Sequence, residues 1–424
     1  MGILFISFAI FILIGVPISI SIGASAVLAS IYFGLPLFTI GQRMISGVDS
    51  FLLIAVPLFI MSGNLMNAGK ITDKIFDTAK AMVGWIPGGL AHANVMASII
   101  FAGKSGSAVA DAGGLGAIQM KAMTERGYTK EFSASISAAS SIIGPITPPS
   151  IPLIIYGSMA GVSIARLFLG GLVPGALIGI SLMMLVGVFA YVNKFERYPF
   201  SLRILIRQFI DSFFSLITPV IIIIGFVSGW ITPTEASSVA VIYALFISVV
   251  IYRSMQWKDF KKCLLDSAAA SANTLFIIGA SALFSYIMVR QGISREIGEF
   301  LFSVSSNPLV ILLIINIILL IMGLFMEPGA IITLMLPILI PVVSFVGVDL
   351  VHFGVVMVVN VMIGQVSPPF GVCLFVLSDV GKISIERLSR AILPFLIPLV
   401  AVLLLITYVP GFVLWLPNMI MGTP

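Results

Sequence analysis

The sequence predicts an all-α polytopic membrane protein of two inverted-topology halves, each carrying a re-entrant hairpin and a broken helix. Three observations predict it. Of 424 residues, 59% are hydrophobic and 9% charged, with a mean hydropathy of +1.19, against about 25% charged in an average soluble domain. Apolar runs close to the roughly 20 residues that a spanning helix needs recur from end to end. Glycine and proline motifs repeat at an offset of 220 residues.

A soluble globule has no way to hide so much apolar side chain beneath a wettable surface. That excludes a soluble enzyme, a nucleic-acid binder and a disordered chain. The net charge of +5 belongs to a membrane protein, in which surplus Lys and Arg mark cytoplasmic loops. Cys263 and Cys373 stand in apolar runs and suggest neither a disulfide framework nor a metal site. His92 and His352 have no ligand-type neighbours, and no Ser/His/Asp or His-rich cluster implies an enzyme. Gly103-Lys104-Ser105 echoes a phosphate loop, but Ser98 stands where its first glycine is required.

Taken in order, the N-terminal run reaches about Phe33 and breaks at Gly15-Val16-Pro17 into two short helices. It lacks a basic start and a small-residue cleavage site, so it reads as structure, not as a removed signal. Basic clusters at 70–80, 121–130, 194–207, 253–262 and 382–390 mark the cytoplasmic side. Connections 33–42, 160–165 and 345–351 carry little or no positive charge and read as external. Threading between them gives about ten crossings plus two segments that enter and return on one side. The first repeat covers 1–193 and the second 212–424, joined by an amphipathic cytoplasmic linker at 194–211.

Gly144-Pro-Ile-Thr-Pro-Pro149 returns as Gly364-Gln-Val-Ser-Pro-Pro369, and the same offset of 220 pairs Gly103 with Gly323 and Gly127 with Gly347. Weight falls on Gly and Pro because they control backbone shape. The basic loop at 121–130 has a counterpart at 341–350 with no basic residue, and the basic cluster at 253–262 pairs with 33–42, which has none either. That is the charge pattern of a repeat turned over in the membrane. The loop at 70–80 fits less well, since its counterpart holds Arg290 and Arg295. Inverted repeats with broken helices at mid-membrane are common in secondary transporters.

Gly103–Ser107, Gly144–Ser150, Met326–Gly329 and Gly364–Pro369 interrupt apolar runs with small, polar or proline residues. They predict hairpins at 85–123 and 308–343, each facing a broken helix, at 132–156 and 353–377. Bare backbone survives in a bilayer only inside protein or along a cavity. A single Pro-Pro motif reads most simply as a kink relieved by its neighbours. Four breaks in symmetric places read as ion sites: freed carbonyls and Ser or Thr hydroxyls are hard, neutral ligands suited to Na⁺, while half-helix N-termini suit an anion.

Ionisable residues inside apolar regions are functional candidates. Asp111 follows the first glycine break by a helical turn, and Glu327 sits at the second hairpin tip. Glu235, in Thr232-Pro-Thr-Glu235, is equally well explained as a helix cap. Arg290 ends a long apolar run where it could meet a carboxylate, and Lys104 either snorkels or pairs with Asp111.

At these motifs the chain resembles the large membrane (M) subunit of tripartite ATP-independent periplasmic (TRAP) transporters. The resemblance covers essentially the whole length. It rests on Phe101-Ala-Gly-Lys-Ser-Gly-Ser-Ala-Val-Ala-Asp111, Gly144-Pro-Ile-Thr-Pro-Pro-Ser150, Thr232-Pro-Thr-Glu-Ala236 and Ser367-Pro-Pro369. It implies a protein of the bacterial inner membrane that performs Na⁺-coupled uptake of an organic acid by an elevator movement. The hairpins and broken helices would form the transport domain and the remaining helices the scaffold. It further implies a small membrane Q subunit, a periplasmic substrate-binding P subunit, surrounding lipid, and at least two Na⁺ ions. By this analogy one Na⁺ lies among Ser105, Ser107, Gly144, Thr147 and Pro149, supported by Asp111. A second lies near Gly323, Met326, Gly364, Ser367 and Pro369. Arg290, Glu235 and Glu327 are assigned to the substrate or to coupling. Sialic acid is the expected substrate. A C4-dicarboxylate TRAP subunit and a stand-alone Na⁺/carboxylate symporter are the alternatives, and a passive channel or a non-transporting scaffold belong to other classes.

Overall fold

The structure, a computed structural model, describes residues 2–69, 71–195, 197–227, 230–305 and 307–423, with side chains at all of these except 102–105, 219, 223, 226, 227, 294, 301 and 302. Among them regular structure is helical throughout, with no strand.

The chain opens with α1 (Gly2–Leu13) and α2 (Ile18–Tyr32), packed together across a turn at Gly15 whose φ of +83° favours glycine. Then come α3 (Leu37–Val48), α4 (Ala55–Ala68) and the amphipathic α5 (Ile71–Val83). A hairpin follows: α6 (Gly89–Ser105), α7 (Ala108–Gly113) and α8 (Leu115–Thr124). Its returning arm is broken at Gly113-Gly114, a place the sequence reading left continuous; paired glycines give a helix its weakest backbone. The first broken helix is α9 (Lys130–Ser141), α10 (Ile143–Ile146) and α11 (Ile151–Ala160), closed off by α12 (Ile164–Asn193). Thr129 and Ser163 cap α9 and α12 by accepting from the amides of Phe132 and Arg166.

Next come α13 (Leu202–Val227), α14 (Pro233–Phe246), α15 (Trp257–Arg290) and α16 (Ile293–Val304). The second hairpin is α17 (Pro308–Gly323) and α18 (Pro328–Phe345), each with proline in its first turn. The second broken helix is α19 (Leu350–Gly364) and α20 (Val372–Gly381), and α21 (Ile385–Tyr408) and α22 (Gly411–Met421) end the chain. The expected boundary between linker and second repeat at 211/212 falls inside α13, which runs on without interruption. No glycine or proline stands between Leu202 and Thr218 to stop it.

The repeat is visible in the helices. α17, α18, α19, α20 and α21 begin 219 to 221 residues after α6, α7, α9, α11 and α12 respectively. Buried amides tie each hairpin to its broken helix in both halves. Asn94 of α6 donates to the Ser137 hydroxyl (2.7 Å) and accepts from Ser140 (2.8 Å). In the second half Asn360, which stands 220 residues after Ser140, donates to the carbonyl (2.9 Å) and side chain (2.8 Å) of Asn316 on α17. Polar pairs of this kind fix register where apolar packing alone would permit sliding.

Eight helical stretches of the described residues are long and apolar enough to cross a bilayer, fewer than the ten or so crossings expected. The difference lies in apolar helices of 10–17 residues, such as α1, α17 and α19, that fall short of a full span alone. The stretch Lys130–Ala160 is enclosed over its whole window, so the break after α10 is presented to protein and not to lipid.

Candidate functional site

Both breaks follow from proline chemistry. Pro148 has no amide to close a helical bond onto the Gly144 carbonyl, and Pro368 has none for Gly364. The next carbonyls find substitutes. Pro145 accepts from the Ser150 hydroxyl, and Gln365 accepts from the Cys373 amide (3.1 Å). Thr147 Oγ1 donates to Ile143 (2.9 Å), and its equivalent Ser367 Oγ donates to Ile363 (2.8 Å). The Pro148-Pro149 and Pro368-Pro369 peptides are both cis.

The hairpin tips meet these breaks. Gly106 ends α6 at φ +59°, and a Cβ there would stand 3.0 Å from Ile151 Cγ1 and 3.2 Å from the Ile151 nitrogen. The first tip therefore lies on the start of α11. Ser107 then caps α7, its Oγ accepting from the Ala110 amide at 3.4 Å. The side chains of Ser105 and Lys104 lie outside the described residues. At the second tip, Gln365 Nε2 donates to the Met326 carbonyl (3.0 Å). Behind it α17 and α19 cross at two glycines: a Cβ on Gly364 would fall 2.5 Å from Gly323 Cα.

Between the tips lies a cavity of about 470 Å³. Ser107 and Pro145 reach it from the first half, Glu327 and Gln365 from the second. The lining is completed by polar side chains of two further helices, Asn64 and Asn67 of α4 and Asn273 and Thr274 of α15. The first residues of α11, α18 and α20 (Ile151, Pro328 and Val372) open onto it. A helix N-terminus carries roughly half a positive charge and unpaired amides, so three of them together favour an anion. Glu327 is the one acidic side chain among the described lining residues, and none of those residues is Lys or Arg. Among the described residues no group of three His, Cys, Asp or Glu could hold a metal ion. The oxygens on offer are mostly neutral hydroxyls, amides and carbonyls.

The remaining sequence candidates sit as follows. Gly144, Thr147, Gly364 and Ser367 are buried in the broken segments, one or two residues along the chain from lining residues Pro145 and Gln365. Gly323 and Met326 flank the second tip, and Pro149 and Pro369 belong to the cis pairs. Asp111 is buried in α7, a helix packed against α9 and α20, and does not line the cavity. Two candidates lie elsewhere. Glu235 closes a capping box with Thr232, its carboxylate accepting from the Thr232 amide at 2.7 Å. Arg290 is exposed at the end of α15, where it donates to the Tyr286 hydroxyl at 3.0 Å. Sequence reasoning passed over Asn64, Asn67, Asn273, Thr274 and Gln365. Their signal was there to read: amides at i and i+3 beside Gly63 inside an apolar run, where a polar side chain needs a reason.

The chain matches the family model described as the tripartite ATP-independent periplasmic transporter, DctM component, over residues 5–412. It is 43% identical over 382 residues, 90% of each chain, to the sialic acid TRAP transporter large permease protein SiaM of Vibrio cholerae. It is 34% identical, across 99% of this chain and 98% of the relative, to the C4-dicarboxylate TRAP transporter large permease protein DctM of the same species. Among solved structures, the YdaH transporter of Alcanivorax borkumensis has the same general fold. Its TM-score is 0.61 at 14% identity, over 88% of both chains.

Proposed function

We propose, from the fact that this chain belongs to the DctM component family of tripartite ATP-independent periplasmic transporters, that it carries out Na⁺-coupled uptake of an organic acid, sialic acid. As a large permease it is a multi-pass subunit of a transporter in the bacterial inner membrane, and not an enzyme. The observation that carries the proposal is a cavity lined by the hairpin tips and broken helices of both halves. Its volume of about 470 Å³ falls within the roughly 300–1,000 Å³ of small-molecule sites.

In this reading one Na⁺ rests on the oxygens of Ser105, Ser107, Gly144, Thr147 and Pro149, and a second on those of Gly323, Met326, Gly364, Ser367 and Pro369. The ions brace the unwound segments, so that the N-termini of α11, α18 and α20 face the acid's carboxylate. The hairpins and broken helices then move as one transport domain against a scaffold of the remaining helices. A periplasmic P subunit delivers the acid, and a small membrane Q subunit holds the scaffold. A monocarboxylate crossing with two Na⁺ carries net positive charge inward, and each charge gains about 2.3 kcal/mol per 100 mV.

Greater identity to the sialic acid relative than to the dicarboxylate one supports the choice of substrate; the dicarboxylate is the second reading. The test is uptake of labelled sialic acid into proteoliposomes holding this chain and its Q partner, with Na⁺ and the P subunit varied independently. Uptake that requires both is the expected result. Uptake with Na⁺ alone would make it a stand-alone carrier, and uptake of a dicarboxylate only would reject the substrate.

A further inference from the structure

The two sides of the cavity differ in chemistry. On the side of the hairpins and broken helices stand helix N-termini, Glu327 and the segments assigned to Na⁺. On the other side, α4 and α15 present only neutral polar groups. Asn64 and Asn67 share one face of α4, three residues apart, and the adjacent Asn273 and Thr274 of α15 both border the cavity. Small residues on the same faces, Gly63 and Ala270, leave room in front of them.

The two α4 amides are already held. Asn64 Nδ2 donates to Ser267 Oγ at 2.8 Å, and Asn67 Oδ1 accepts from Thr72 Oγ1 at 2.8 Å. What each has left is complementary: an acceptor oxygen on Asn64 and an NH₂ donor on Asn67. Neutral amides in a spanning helix are costly unless they find partners, and here both side chains belong to residues that border an open cavity.

We infer that Asn64, Asn67, Asn273 and Thr274 form a specificity wall that reads the uncharged hydroxyl and amide groups of a sugar-type acid. The carboxylate end of the acid is turned away from it, towards the starts of α11 and α18. The inference rests on the organic-acid reading above and deepens it. A second carboxylate on the substrate would meet no cation on this wall, so the wall selects against dicarboxylates.

The experiment uses the complex of the full chain with its Q partner, reconstituted with the P subunit, and two probes, N-acetylneuraminate and succinate. Asn64→Ala and Asn67→Ala each remove one fixed partner. Asn273→Ala is the cleaner variant, because among the described residues its side chain makes no hydrogen bond that folding would lose. Each is expected to raise the KM for N-acetylneuraminate about tenfold, the worth of one hydrogen bond. The Na⁺ concentration for half-maximal uptake should stay unchanged in all three, since none of these residues belongs to the ion segments, and the unfolding temperature should stay unchanged in Asn273→Ala, which loses no hydrogen bond among the described residues. An unchanged KM in all three variants, with the unsubstituted complex transporting N-acetylneuraminate, overturns the wall and leaves the substrate standing. A parallel loss of Na⁺ affinity overturns it too, by showing a structural role. An unsubstituted complex that takes up succinate and not N-acetylneuraminate rejects the substrate and the wall together.

Discussion

Gly364→Ala puts the crossing of α17 and α19, the second hairpin and its broken helix, under a calculable load. The added Cβ would stand 2.5 Å from Gly323 Cα and 2.7 Å from the Gly323 carbonyl carbon, where carbon contacts are comfortable at about 3.5–4.0 Å. Both obstacles are backbone, so no rotamer change relieves them, and the helices must part by about 1 Å. Overpacking of this kind costs about 1–3 kcal/mol. At about 1.4 kcal/mol per tenfold, that is between about fivefold and about a hundredfold in any equilibrium that needs the crossing closed. The load falls on the segments after Gly323 and Gly364, which hold the proposed second Na⁺. The Na⁺ activation curve of uptake should therefore shift to higher concentration by that factor, and Na⁺ should protect the variant less against thermal unfolding. Gly298→Ala is the control, because its Cβ would meet only Val342 Cγ2 at 3.6 Å. A Gly364→Ala protein with the activation curve and unfolding temperature of the unsubstituted complex would show that the crossing neither resists separation nor positions the site.

Thr147→Val should raise the Na⁺ concentration for half-maximal uptake about tenfold by deleting one neutral oxygen ligand, whereas Thr147→Ser should restore it; equal activation curves for the two variants would remove Thr147 from the ion site. Asp349→Ala removes the cap that accepts from the amides of Val351 (2.8 Å) and His352 (2.9 Å); it should cost about 1 kcal/mol of stability in a thermal melt without moving the Na⁺ curve. Arg290→Ala should leave the KM for sialic acid unchanged, since Arg290 is exposed at the end of α15 and does not border the cavity; a KM raised tenfold would put it back in the substrate path.

What the chain wrote legibly is what glycine and proline control. Pro148 and Pro368 each withhold one amide, so each break is specified by its own few residues and could be read without knowing any neighbour. The repeat was legible for the same reason. What escaped the reading depends on distant partners. Asn64 and Asn273 are 209 residues apart in sequence, and they share a wall only because α4 packs on α15. Glu235 and Arg290 show the converse. Their residue type drew attention, but Thr232 and Tyr286 occupy them locally. The unbroken run of α13 shows a third limit: a change from basic to apolar composition marks a membrane boundary, and a helix passes through such a boundary intact.

The inverted repeat also explains why the cavity can be two-faced. Symmetry makes the two breaks alike, and Thr147 and Ser367 repeat the same bond onto Ile143 and Ile363. A pair of like ion sites is then the natural product of a duplicated half. The wall of α4 and α15 escapes that constraint. The residue 221 positions beyond Asn64 is Ser285, and its hydroxyl donates to the Thr333 carbonyl of α18 at 3.2 Å, away from the cavity. The position 221 before Asn273 is Leu52, in the turn that precedes α4. On the proposed reading the symmetric side couples transport to Na⁺ and the asymmetric side chooses the acid. Relatives could then exchange substrates by changing α4 and α15 while keeping every ion ligand, which is the arrangement expected of a family whose members carry different acids on one architecture.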